Sequence, residues 1–370
     1  MKRVGNLVDD FTIENIIKAY KVVRKNTLNK NKIYKFEEYY TSNISNVFKL
    51  LKNYNVGKYN IFLIKDPKYR IIMSQNINDK IINHLMADIL IKVLEPSLIN
   101  TNVASRKNKG TSFGIKYLKK YLNNMSGEVY ALKFDISKFF YNIDHDVLKE
   151  MLKRKIKDKK YLKVLFKIID STDEDYVNEC IIRLKKKEIN YLKNSNLSDK
   201  DNRIDEVERI PIYKKGKGLG IGNVVSQILA IFYLSDLDHF IKEKLHIKYY
   251  IRYQDDGILL SNDKEYLKYS LKEINDFVLR YGLRLNDKTR IINVSKNGVD
   301  FIGFRFYIIN GKIILKVRND CKKRFKRKMK LIEKGKIENS ENVIASYKGH
   351  FKLGRCFNLF KKFDFKKNLS

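Results

Sequence analysis

Cysteine and proline are scarce in this sequence, three of each in 370 residues. Cys180, Cys321 and Cys356 are scattered and odd in number. They supply neither a disulfide framework nor a zinc site, and a reducing, cytoplasmic location is expected. Pro67, Pro96 and Pro211 are too few for a Pro-rich linker between domains. No uninterrupted apolar run reaches the ~18 residues of a membrane helix. The first residues lack the apolar segment of a secretory leader, and no basic amphipathic helix carries aromatic anchors, so no membrane partner is expected. Acidic residues are in deficit, 42 Asp+Glu against 77 Lys+Arg, a net charge of +35.

What is present points to a folded, nucleic-acid-binding chain. Apolar residues make up 44%, enough for a substantial core and against wholesale disorder. The length favours two or three lobes over one domain. A charge of this size repels itself and calls for a polyanion, and each phosphate neutralised releases a condensed counterion. AT-rich coding drift would enrich Lys, but it would enrich Glu and Asp as well, and those lag behind. From residue 312 to the end, 19 Lys+Arg face 5 Asp+Glu. Tyr (24) and Phe (21) are plentiful; most belong to the core, and some can stack on bases.

Residues 1–60 read as helices: Ile13, Ile16, Ile17 and Tyr20 share one face, as do Ile44, Val47, Phe48 and Leu51. Residues 61–64 and 70–73 read as short strands around a turn at Pro67. Residues 78–94 form a strongly apolar helix ended by Pro96. Residues 129–134 read as a strand that delivers Asp135. Residues 171–210 have polar ends around a charged segment of helical character, and read as a polar insertion in a surface loop. Gly216 to Gly222 fits no phosphate-cradle spacing and reads as a flexible approach to a helix capped by Asn223. Residues 249–261 read as a hairpin with Gln254-Asp255-Asp256-Gly257 at its tip. Residues 300–307 and 311–317 read as strands, and the basic tail as helical. The five histidines (His84, His145, His239, His246, His350) share no metal-ligand spacing.

Three carboxylates carry the chemistry. Asp135 ends an apolar strand, while Asp255 and Asp256 sit between the apolar arms Tyr249-Tyr250-Ile251 and Ile258-Leu259-Leu260. An isolated Asp-Asp pair reads as a solvated turn. Set between two apolar strands, the pair gains little unless a cation lies between the charges. Carboxylates from two strands can hold two Mg²⁺ for in-line phosphoryl transfer, and Mg²⁺ favours a few carboxylates plus substrate phosphates. A small acidic centre in a basic chain therefore reads as a polynucleotide-processing site.

Tyr253-Gln254-Asp255-Asp256 resembles the Tyr-x-Asp-Asp box of reverse transcriptases, and Leu132-Lys133-Phe134-Asp135-Ile136-Ser137 through Asp144 their first palm motif. Collinear with these, Lys65 and Arg70 match the fingers motif, and Arg106-Lys107-Asn108-Lys109-Gly110-Thr111 the segment after it. Gly218-Leu219-Gly220-Ile221-Gly222 through Ser226-Gln227 resembles the nucleotide-facing loop and helix. Leu285-Asn286-Asp287-Lys288-Thr289 matches the lysine motif, and Val299-Asp300-Phe301-Ile302-Gly303-Phe304 the primer grip. Together the resemblance spans about residues 60–310. It implies an α+β, right-hand polymerase with fingers, a palm of antiparallel sheet plus helices, and a helical thumb. The implied divisions are 1–125 (N-terminal extension and fingers), 126–170 (palm, first part), 171–210 (insertion), 211–308 (palm, second part) and 309–370 (basic thumb).

The resemblance also implies roles. Asp135, Asp255 and Asp256, with the Ile136 carbonyl, would hold two Mg²⁺, for which Mn²⁺ can substitute. Lys65 and Arg70 would hold the incoming triphosphate, Phe140 would act as the gate against a ribose 2′-OH, and Ile221, Gly222 and Gln227 would face the nucleotide. Lys288 would protonate the leaving pyrophosphate. Arg106, Lys109, Gly303, Lys322, Arg324 and Arg327 would contact nucleic acid. Phe140 and Lys288 have bland alternatives as core and surface residues.

The implied reaction is RNA-directed DNA synthesis from dNTPs on a structured noncoding RNA template, giving cDNA, with an accessory protein or a homo-oligomer as further partner. No Val-Thr-Gly triplet of the retron type is found, and group II intron enzymes, which have a similar palm, are usually longer. The Ile-Gly-x-x-x-Ser-Gln form, Gly5-Asn6-Leu7, Ser346-Tyr347-Lys348-Gly349-His350 and Asn358-Leu359 resemble diversity-generating retroelement enzymes and related bacterial defence reverse transcriptases. The 171–210 segment favours the antiviral defence role; the mutagenic retroelement enzyme is the alternative. Ile221 stands where an amide could hydrogen-bond the nucleotide, which implies relaxed base selection. A metal-dependent nuclease or a non-catalytic RNA scaffold would share the charge but would not need Lys65 and Arg70, or Asp255 and Asp256, respectively.

Overall fold

The structure, a computed structural model, describes residues 3–337, 340–354, 356 and 359. The chain divides into two units: Met1–Ile99 with Ile136–His239 and Asp276–Arg284, and Asn100–Asp135 with Phe240–Asn275 and Leu285–Ser370.

In the first unit, capping and apolar spacing set the helices. The Thr12 side chain accepts the Asn15 N–H at the start of helix Ile13–Asn26, and Asn76 accepts the Asp79 N–H at the start of helix Ile77–Leu94. The second helix is buried almost all round, with Ile81, Ile82, Leu85, Met86, Ile89 and Leu90 inside. It packs against helices Ile13–Asn26 and Val224–Tyr233, which explains its near-continuous apolar sequence. Asn223 caps Val224–Tyr233 through the Ser226 N–H, as its sequence suggests. Strands β1 (Asn60–Ile64) and β2 (Arg70–Ser74) form an antiparallel hairpin that pairs Ile64 with Arg70.

Residues 171–210 are helical, as their sequence suggests, but they pack into the core and are not a surface-loop insertion. They form helices Asp175–Lys193 and Lys200–Glu208. Val177, Ile181, Leu192 and Val207 are buried in one cluster with Ile71 and Met73 of β2. The four-residue step from Val177 to Ile181 marks a helical stripe, but charged neighbours dilute it.

In the second unit, β3 (Tyr130–Phe134), β4 (Tyr249–Tyr253), β5 (Asp256–Ser261) and β6 (Arg290–Asn293) form an antiparallel sheet in the order β4-β5-β3-β6. Ala131, Ile251, Ile258 and Leu260 share a core with Ile115, Leu118 and Leu122 of helix Thr111–Asn123. A second sheet joins β7 (Val299–Phe301), β8 (Phe304–Ile309) and β9 (Lys312–Val317). The single strand expected over 300–307 is thus broken: Ile302 and Gly303 both take positive φ (47° and 82°) and turn the chain between β7 and β8. The tail forms helices Asn319–Glu333 and Ser340–Lys352. Cys321, Phe325 and Met329 recur every four residues on its buried side. Asn358 and residues 360–370 of the expected thumb lie outside the described residues.

Among the described residues one helical run, Val224–Lys244, is long and apolar enough to cross a membrane, although no such span reads from the sequence. Its most apolar window is 72% buried within the protein, so its apolar side chains already have a protein environment.

Candidate active site

β4 and β5 turn over two residues. The pair Tyr253–Asp256 closes the hairpin, leaving Gln254 and Asp255 as its loop. Gln254 adopts φ 56°, a conformation that costs a non-glycine residue energy and concentrates at functional sites. Arg252 is fully buried and donates to the Gln254 carbonyl, while the Gln254 amide donates to Ser105 Oγ at 3.0 Å. These contacts hold the tip in that conformation.

The register delivers the third acid. β3 pairs with β5 as far as Phe134 with Gly257, so Asp135 follows beside the start of β5, where Asp256 stands. A Cβ at Gly257 would collide with the Phe134 ring; glycine is what lets β3 approach. The Asp135 carbonyl accepts the Asn286 N–H at 2.7 Å, which places the lysine-motif segment against the same acid. The structure therefore brings Asp135, Asp255 and Asp256 together at one end of a single sheet.

Their electrostatics are those of a crowded acidic site. The Asp255 pKa is pushed up to about 7 by burial first and then by the Asp135 charge, with Asp256 adding and Arg252 opposing. Burial raises Asp256 to about 6; Lys133 opposes this and Asp135 adds to it. Lys133 Nζ lies 2.9 Å from Asp256 Oδ2 and 2.8 Å from the Asp300 carbonyl. Asp256 Oδ1 is buried with no hydrogen-bond partner. An orphaned carboxylate oxygen beside two further carboxylates, which stay crowded despite Lys133 and Arg252, fits a divalent cation held through oxygen. The donor set suits Mg²⁺ or Mn²⁺.

Other sequence-predicted residues fall as follows. Lys288 is exposed, in the turn before β6, and its N–H bonds to Asn286 Oδ1. Ile136 has a buried side chain. Arg106 donates to the Asn102 carbonyl at 2.6 Å. Lys109 donates to Asn100 at 2.6 and 2.8 Å and lies over the Phe113 ring, so both basic residues are engaged within the chain. Gly303 lies under His350, whose ring packs on Phe304 at 4.5 Å. The motif around His350 therefore seats the tail helix on the β7–β8 turn. On helix Asn319–Glu333, Lys322 is half-buried and Arg327 exposed, while Arg324 reaches Cys321 Sγ at 3.1 Å and Asp320 at 3.6 Å.

The nucleotide candidates lie in the first unit. Lys65 and Arg70 flank the tip of the β1–β2 hairpin. Arg70 is exposed. Lys65 Nζ is 2.6 Å from Glu188 Oε2 and lies over the Tyr191 ring. Phe140 is half-buried, edge-on to the buried Phe139, and its carbonyl accepts the Leu219 N–H at 2.7 Å. The Ile221 carbonyl accepts the Met73 N–H at 2.8 Å. Gly222 has φ 127° and packs its backbone against Ile72 and Met73, and Gln227 is exposed.

Sequence reasoning missed Lys133, Arg252 and Glu188. Lys133 had a signal, because residues two apart on a strand share a face and Asp135 was already singled out. Arg252 and Glu188 had none, since their partners depend on tertiary packing.

The profile of the family described as reverse transcriptase (RNA-dependent DNA polymerase) matches residues 63–306. A putative COX1/OXI3 intron 2 protein of Saccharomyces cerevisiae is 26% identical over 71% of this chain and 34% of its own length. The nuclear intron maturase 1, mitochondrial, of Arabidopsis thaliana is 23% identical over 51% of this chain and 29% of its own. The chain thus spans about a third of the length of these curated relatives. Among solved structures, apo telomerase from Candida tropicalis, truncated from its C-terminal domain, aligns at TM-score 0.47 and 16% identity, covering 70% of this chain and 55% of that one. Telomerase from Candida albicans with a fragment of telomeric RNA aligns at 0.43 and 15%, covering 78% and 50%.

Proposed function

Because this chain belongs to the reverse transcriptase (RNA-dependent DNA polymerase) family, with its α+β right-hand polymerase fold, we propose that it copies an RNA template into cDNA by nucleotidyl transfer. The observation that carries the reading is the trio of carboxylates at one end of a sheet, two of them held protonated to about pH 7 (Asp255) and about pH 6 (Asp256), first by burial and then by the charge of neighbouring carboxylates. Asp135, Asp255 and Asp256 would hold two Mg²⁺, with Mn²⁺ as substitute and the Ile136 carbonyl assisting. Bound there, the ions supply a lowered pKa for the attacking 3′-hydroxyl and charge neutralisation for the leaving pyrophosphate.

The remaining roles fall to this chain's own side chains. Arg70 offers a planar fork to triphosphate oxygens, and Lys65 joins it once released from Glu188. Phe140 crowds a ribose 2′-OH. Lys288, exposed to solvent, would protonate the departing pyrophosphate. The β7–β8 turn at Gly303, seated under His350, would contact the primer backbone, and Lys322, Arg324 and Arg327 would follow the duplex phosphates.

The finer reading is a bacterial enzyme of the retroelement-like, defence-associated type, acting in the cytoplasm on a dedicated structured noncoding RNA. The motif forms at 221–227 and 346–350 support it, as do the helices of 171–210. The mutagenic retroelement enzyme is favoured by one observation: Ile221 has no amide to offer a nucleotide. Misincorporation by the wild type should exceed that of Ile221→Gln severalfold; equal fidelity counts against this alternative.

The primary test is extension of oligo(dT) on poly(rA) and on RNA copurified with the protein, with Mg²⁺ and labelled dTTP or the full dNTP set. Asp255→Ala should abolish extension, a loss of at least about a thousandfold. Shortening of the primer or template would instead mark a nuclease. Tight binding without extension on either template would mark a scaffold.

A further inference from the structure

Apart from the aspartate trio, three ligand-type side chains of the first unit converge: His145, Asp170 and Asp173, whose ligand atoms all lie within 4.8 Å of one another. His145 opens helix His145–Lys153, Asp170 ends helix Lys159–Asp170, and Asp173 lies in the turn that follows. The imidazole is 1% exposed. Its Nε2 stands 2.7 Å from the Gly218 carbonyl. A carbonyl only accepts, so this contact fixes the proton on Nε2 and leaves the Nδ1 lone pair pointing the other way.

In that direction stand two carboxylates, Asp170 Oδ1 at 3.2 Å and Asp173 Oδ2 at 3.6 Å. Yet Nδ1 makes no hydrogen bond to either. A lone pair facing two anions is repulsive. A second ring proton would be poorly aimed at both. A cation among the three atoms removes the conflict. The contact to Gly218 is also the arrangement by which metal-bound histidines are oriented, the far N–H donating to a backbone carbonyl.

Charge and access agree. Lys149 Nζ lies 2.6 and 2.8 Å from the two Asp170 oxygens and neutralises one carboxylate. Asp173 Oδ1 accepts the Gly216 N–H at 2.9 Å. The Asp170 and Asp173 side chains are 41% and 24% exposed, so the cluster opens to solvent on their side.

We propose that His145, Asp170 and Asp173 form a binding site for one divalent transition-metal ion of the Zn²⁺ class, distinct from the catalytic pair. One imidazole nitrogen, two carboxylates and a water complete a tetrahedral N/O set. The ion sits where the glycine-rich loop is tied down: besides the Asp173 and Nε2 contacts, the His145 N–H bonds to the Gly216 carbonyl at 2.9 Å, and Thr172 Oγ1 donates to Gly218 at 2.9 Å. Loading therefore staples residues 216–218 to two helices.

The test uses full-length chain carrying Asp255→Asn and Asp256→Asn, which weakens the other acidic cluster. After chelator treatment it is titrated with Co²⁺, then Zn²⁺. One equivalent of Co²⁺ should give the visible absorption of a tetrahedral N/O site, displaced by Zn²⁺. His145→Gln and Asp173→Asn should each lower affinity by more than the ~10–100-fold lost with an outer-shell partner. Absence of that absorption, or its persistence unchanged in both variants, overturns the proposal. Should either variant fail to fold, the ¹⁵N shift of His145 Nδ1 in the parent chain decides. A large change on Zn²⁺ addition supports the site, and a ring protonated on both nitrogens and indifferent to Zn²⁺ refutes it.

Discussion

Asp255 and Asp256 keep their protons well above the range in which carboxylic acids ordinarily ionise, at about 7 and about 6. The consequence for stability has a definite sign. Between the ordinary value near 4 and these raised values the folded chain binds protons that the unfolded chain has released, so stability falls as pH rises. It is greatest below the ordinary value, and the loss is complete above pH 7. Without divalent metal, wild type should therefore lose thermal stability relative to Asp255→Asn as pH goes from 4 to 8, with a gap of a few degrees at pH 8. Mg²⁺ should narrow the gap. A gap that does not change with pH would show that the two acids are not crowded in solution. Lys133 tempers the effect from a diagonal position: it pairs with Ile258 and reaches two residues back to Asp256.

The hairpins were the most legible elements. Apolar arms on either side of a short polar tip define β4–β5 and β1–β2, and the resemblance assigned chemistry to both tips. The strand expected over 300–307 failed because nothing in Ile302-Gly303 demands a break; the positive φ at Ile302 is imposed by the tertiary structure. The helical character of residues 171–210 was legible, but their burial was not, because charge masked the apolar stripe at Val177 and Ile181. Helix Asp175–Lys193 also brings Glu188, which engages Lys65. That pairing competes with any triphosphate. Lys65 is half-exposed, so the pair is worth at most about 1 kcal/mol. Glu188→Gln should lower the dNTP KM by up to ~5-fold with kcat little changed, read by steady-state extension kinetics. A KM that rises or stays constant would detach Glu188 from nucleotide capture.

For the molecule as a whole, a net charge of +35 makes nucleic-acid affinity a function of ionic strength. With about 6–10 phosphates contacted, affinity for an RNA–DNA duplex should fall ~10³–10⁵-fold between 50 and 200 mM salt. A filter-binding slope near zero would mean that the basic tail does not follow the backbone. What reads as a polar insertion holds Val177, Ile181, Leu192 and Val207 against Ile71 and Met73. Anyone trimming the polypeptide to a minimal catalytic version at residues 171–210 would strip the greasy lining from the nucleotide-side hairpin. Such a cut would yield a sticky, poorly expressed product before any question of turnover arose.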